Sequence, residues 1–88
     1  MATVAIPALL RKFTGGIDHV TTTAGNIREL IDDLERQFPG IRSHLVGDDG
    51  EVNGSIAVWI DGEMAEGGMI SPVKPASEVH FLPAIGGG

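Results

Sequence analysis

No cysteine occurs anywhere in this 88-residue chain. That absence excludes a disulfide framework, a thiolate zinc site and a cysteine nucleophile. Positive charge is scarce as well: Lys12 and Lys74 are the sole lysines, and six basic residues stand against twelve acidic ones for a net charge of -6. Nucleic-acid binding requires cations to replace phosphate counterions, so a nucleic-acid partner is not expected. An acidic surface suits steering toward a basic protein partner, and it also serves solubility alone. No stretch approaches the roughly 18 consecutive apolar residues of a membrane span, so no membrane partner is expected. Met1 to Leu10 has no basic region ahead of its apolar residues, which argues against a secretory signal and for a cytoplasmic location.

With 42% hydrophobic and 20% charged residues the chain has the composition of a folded globule. Its length fits one core. Thr3 to Ile6 alternates in polarity and stops at Pro7, as a short strand does, and Ile17 to Thr23 follows the Gly15-Gly16 turn as a second. Asn26 then offers a helix cap with Glu29 three places on. Ile27, Leu30, Ile31, Leu34 and Phe38 recur at helical spacing up to the Pro39-Gly40 stop. Ile41 to Gly54 reads as loop. Ser55 to Asp61 is a strand with Ile56, Val58 and Ile60 on one face and Ala57 and Trp59 on the other. Asp61-Gly62 is a hairpin turn, Glu63 to Ala76 is irregular, and Glu78 to Leu82 is the last strand, ended by Pro83.

One amphipathic helix over one face of a small mixed sheet buries both apolar surfaces. The expectation is therefore an α+β, β-grasp (ubiquitin-like) domain over residues 1–83, with four to five strands and one main helix. A ferredoxin-like fold would need a second helix of adequate length.

The chain stops, directly after that strand, in Gly86-Gly87-Gly88. Three glycines resist packing, and 84–88 is expected to project as a flexible tail roughly 10–20 Å long. Such an arm, lacking Cβ atoms, fits a narrow channel in another protein and presents its carboxylate there. That carboxylate is ionised at neutral pH. It can attack the α-phosphate of ATP where a partner supplies magnesium and positive charge. Attack of a sulfur donor on the acyl-adenylate then gives a thiocarboxylate. Composition alone equally allows an inert extension.

The ending Phe81-Leu82-Pro83-Ala84-Ile85-Gly86-Gly87-Gly88 and the helix stripe Ile27, Leu30, Ile31, Leu34 with its Phe38-Pro39-Gly40 stop resemble the MoaD/ThiS family of ubiquitin-like sulfur carriers. The likeness runs over essentially the whole chain. Ile6-Pro7-Ala8-Leu9-Leu10-Arg11 and Thr14-Gly15-Gly16 look like one branch, the carrier for thiocarboxylate-dependent cysteine biosynthesis. Ala76-Ser77 stands where the family often has an acidic Gly-Asp turn, and Gly86 where a small side chain is common.

The resemblance implies that Gly88 carries the adenylate and then the thiocarboxylate, and that Gly86, Gly87 and Gly88 enter the partner's channel. It also implies an adenylating and sulfurating enzyme related to ubiquitin-activating enzymes, which uses ATP and magnesium while the carrier binds no cofactor. The implied sulfur acceptor is a pyridoxal-phosphate cysteine synthase or a thiazole-synthase-like enzyme, with a metalloprotease releasing the product. Rival readings are the small subunit of molybdopterin synthase, a protein modifier joined through Gly88 to a lysine, and a plain interaction domain.

Other residues carry less. His19, His44 and His80 lack carboxylates at ligand spacing, so no metal site is expected. Asp48, Asp49 and Glu51 lack the alternation of a calcium loop and read as a solvated turn. Trp59 and Leu82 form a candidate docking patch if Ile56, Val58 and Ile60 face the helix; burial of Trp59 under the Glu63 to Ala76 loop is the alternative. No nucleophile elbow or acid–base pair is evident, and the chain does not read as an enzyme.

Overall fold

The computed structural model describes residues 1–83. Its organising element is the helix α1, Ile27–Gln37. The Asn26 side chain accepts the N–H of Glu29 at 2.8 Å, and the Glu29 carboxylate reaches back to the N–H of Gly25 at 2.9 Å. Two free amides at the helix start are thereby satisfied. Ile27, Leu30, Ile31 and Leu34 are fully buried, as the stripe predicts, while Phe38 is half-buried at the C-cap. Gly40 ends the helix at φ +102°, where a Cβ would press on the Phe13 ring at 3.3 Å.

The stripe lies on a five-stranded mixed sheet of order β2-β1-β5-β3-β4. The strands are β1 (Ala2–Ala5), β2 (His19–Thr22), β3 (Ile56–Ile60), β4 (Glu63–Met64) and β5 (Glu78–Pro83). β1 and β2 are antiparallel, β1 and β5 parallel, and β3 is antiparallel to both β5 and β4. Val4, Val20, Val58, Val79 and Phe81 point from alternate strand positions into one core with the helix stripe. This is the β-grasp arrangement. Among the described residues no helix is long and apolar enough to cross a membrane.

The connections depart from the sequence reading in two places. Between β1 and β2 the chain winds through a 3₁₀ segment, Ala8–Phe13, before the Gly15-Gly16 turn. Ile41 to Gly54 is not simply loop: it contains the short helix α2, Arg42–Leu45, and a bridge between Val46 and Val52. Four residues are too few to display helical periodicity. α2 is held instead from a distance, because the Glu35 carboxylate accepts the N–H groups of Gly40 and Arg42, the latter at 2.9 Å. Those amides keep the Glu35 carboxyl below its usual range. Ile41 and Leu45 are buried beside it. Glu63 to Ala76 is irregular, as expected, and is strapped to the helix start by Ile27 N–H to Ser71 O and Val73 N–H to Gly25 O. The last strand extends one residue further than expected, through Pro83, which pairs with Ile56.

Since Leu30 is wholly buried, Leu30→Ala is expected to cost about 2–5 kcal/mol in denaturant unfolding. Exposed Arg28→Ala on the same helix should stay within roughly ±0.5 kcal/mol.

Candidate functional site: the root of the tail and the open sheet face

β5 is an interior strand, with β1 on one side and β3 on the other. Its final residue, Pro83, is the last described position. The candidate site therefore begins where a doubly paired strand ends. Gly86, Gly87 and Gly88, the residues expected to enter a partner and carry the reactive group, lie outside the described residues.

The start of β5 is held as firmly as its flanks. The two-residue Asp61-Gly62 turn joins β3 to β4 with φ of +52° and +84°, the left-handed pair that matches the twist of a hairpin. In that turn Asp61 keeps its backbone N–H on Glu78 O at 2.9 Å. Its carboxylate accepts the N–H of Glu78 at 2.9 Å and the Ser77 hydroxyl at 2.9 Å. A side chain thus replaces the carbonyl that the turn has swung away. The same bonds, that to Glu78 foremost, hold the Asp61 carboxyl below the usual aspartate range. Ser77, noted in sequence as a departure from an acidic turn, is the partner of an acid supplied by a neighbouring hairpin. The Asp61-Gly62 pair signalled the turn but not the contact, which spans 16 residues.

Opposite the helix, the sheet has an open face. Trp59 lies across from Met64 on one side and His80 on the other, and His80 lies across from Ala5, which faces His19. In the next row Ala57 faces Leu82. The structure thus places Trp59 and Leu82 on one face, as the alternation of β3 predicts, with Trp59 half-buried and Leu82 45% exposed. Glu78 is the one carboxylate that the strands present there, in a chain of net charge -6. Acid is concentrated elsewhere: Asp33 takes the buried Thr22 hydroxyl at 2.9 Å and pairs with Arg36, and Asp48, Asp49 and Glu51 are exposed on the 46–52 turn.

The three histidines are dispersed. His19 contacts Asp18 at 3.1 Å, His44 meets the Phe13 ring at a tilt with centroids 4.9 Å apart, and His80 sits on the open face. No group of three or more metal-ligating side chains is gathered among the described residues.

Comparison with known proteins decides what this architecture belongs to. The sequence pattern of the ThiS family matches residues 4–88. The chain belongs to the ThiS family. It is 30% identical over 90 residues to the sulfur carrier protein CysO of Mycobacterium bovis, covering 98% of this chain and 97% of that one. CysO of Mycobacterium tuberculosis superposes with a TM-score of 0.90 at 28% identity, covering 97% of this chain and all of that one. A chain of the Amycolatopsis orientalis BexX/CysO complex gives a TM-score of 0.90 at 34% identity, with both chains fully covered.

Asp61 generates a test by acid titration. A lowered folded-state pKa means that its contribution is complete above the unfolded value of about 3.9 and is lost as pH falls through the folded one. Asp61→Asn tolerates the left-handed turn but never carries the charge. Wild type is expected to be the more stable at neutral pH, with the gap narrowing in urea melts as pH falls below the unfolded value and through the lowered folded one. A gap independent of pH would remove the charge from this account.

Proposed function

We infer that this chain is a sulfur carrier protein of cysteine biosynthesis, working through a thiocarboxylate on Gly88. The observation that carries the reading is the match to a sulfur carrier over nearly the entire chain, with the double-glycine end included in the family pattern. The position of β5 supports it, because an interior strand gives the tail a rigid root.

The chemistry runs on the terminal carboxylate. One of its oxygens attacks the α-phosphate of ATP, pyrophosphate leaves, and the acyl-adenylate forms. A sulfide-level sulfur attacks the acyl carbon and AMP departs, leaving a thiocarboxylate. That soft nucleophile then attacks the electrophile of the acceptor. ATP and magnesium belong to an adenylating enzyme of the ubiquitin-activating type. The acceptor is a cysteine synthase or a thiazole-synthase-like enzyme, and a metalloprotease would release the amino acid. This chain supplies no acid, base or metal of its own and is a substrate of these enzymes, in the cytoplasm, rather than an enzyme itself. A related CysO is known in complex with BexX, which fits a carrier that docks on its partner as a folded unit.

Trp59 and Leu82 offer such an enzyme an apolar patch on a face where the strands present a single carboxylate, Glu78. Docking there would orient the tail toward a channel for Gly86, Gly87 and Gly88.

Intact mass after incubation with ATP, a sulfide source and the matched adenylating enzyme tests the reading. The expected result is one exchange of oxygen for sulfur, localised to Gly88 and dependent on ATP. Deletion of Gly87 and Gly88 should abolish it while the melting curve stays unchanged. No exchange with an enzyme active on its own carrier would overturn the assignment, and lysine-linked conjugates would replace it with protein modification.

A further inference from the structure

A second surface lies beside the root of the tail. Pro7, Leu9, Leu10, Ile56, Leu82 and Pro83 wall a groove of about 430 Å³. It is built where the 3₁₀ segment after β1 passes the end of β5 and the start of β3. Leu9 is 85% exposed and stands beside Leu82, itself 45% exposed, on the groove wall. Leu82 belongs to both surfaces, so the groove continues the open sheet face.

Its electrostatics are the reverse of the molecule's. Of the twelve acidic residues none lines the groove among the described residues, whereas Lys12 and His44 both do. Lys12 holds its ammonium 5.4 Å from the Phe13 ring centre, and no carboxylate among the described residues pairs with it. A mainly apolar groove with a cation at its edge favours an apolar side chain accompanied by a carboxylate. Position narrows the source. On the carrier reading the reactive carboxylate belongs to Gly88, five residues past Pro83, and so lies at most roughly 18 Å from that root. An enzyme holding Gly88 in its active site therefore stands within reach of the groove.

We propose that the groove formed by Pro7, Leu9, Leu10 and Leu82 seats an apolar side chain with a neighbouring carboxylate from the adenylating enzyme, with Lys12 receiving the carboxylate. The proposal rests on the carrier reading and adds to it a second anchor, one that selects the partner by polarity. The groove sets affinity, while the tail performs the chemistry.

Titration of the matched adenylating enzyme into the labelled full-length protein, followed by heteronuclear NMR, tests it alongside steady-state adenylation. Leu9→Ser, at an exposed position, and Lys12→Glu are each expected to weaken Kd about tenfold or more, the scale of losing one anchor contact. KM for the carrier should rise in step with kcat unchanged, and Lys12→Arg should restore binding. Added salt should weaken wild type more than Lys12→Gln. An unaltered Kd in both Leu9→Ser and Lys12→Glu, with folding intact, overturns the proposal. So does concentration-dependent dimerisation that Leu9→Ser abolishes without affecting enzyme binding, since the occupant would then be a second copy. Groove-dependent binding without sulfur exchange in wild type overturns the carrier reading and leaves the groove standing. Sulfur exchange with Kd indifferent to the groove does the opposite.

Discussion

The double pairing of β5, parallel to β1 and antiparallel to β3, holds the core together and fixes where the last described residue, Pro83, lies. Val79 and Phe81 face the helix from that strand, and His80 and Leu82 face outward. A parallel neighbour cannot be joined by a short turn. The helix and the long return through 63–76 supply the crossover, and their packing protects the pairing in turn. Loosening β5 would disturb the core, the open face and the root of the tail together.

Division of labour follows from that constraint. On the proposed reading, a carrier that reacts through its terminus needs a stiff base for that terminus and a surface by which its enzymes hold it. The doubly paired strand provides the first. The surface is obtained by sorting charge: acid lies on the exposed side of α1 and on the 46–52 turn, while Ala57, Trp59, Met64 and Leu82 occupy the open sheet face. Repulsion among the carboxylates elsewhere discourages nonspecific association, and the near-neutral face is the one the proposed docking would use.

Three acids of this chain hold local structure through hydrogen bonds, two of them to backbone amides. Glu35 caps the entry to α2, and Asp61 completes the pairing of Glu78. Asp33 fixes the buried Thr22 hydroxyl beneath the helix. Each is lowered in pKa by the groups it holds, Asp33 chiefly by Arg36. The Glu35 contacts span 5 to 7 residues, whereas those of Asp33 to Thr22 and of Asp61 to Ser77 span 11 and 16.

Local patterning made much of this legible in advance. The Asn26 cap, the four-residue core of the α1 stripe, the alternation of Ile56 to Ile60 and the Asp61-Gly62 turn all report interactions within a few residues of one another. The family likeness was legible too, because its motifs are stretches of local sequence, and the ThiS pattern spans residues 4–88. By contrast, α2 and the 3₁₀ segment after β1 escaped notice, being too short for periodicity and dependent on Glu35 or on packing around Leu10. Strand order, the company Trp59 keeps, the Asp61 to Ser77 bond and the groove beside Leu9 arise from contacts between segments far apart in sequence. No local rule encodes those, since register and adjacency are settled when the whole core closes at once.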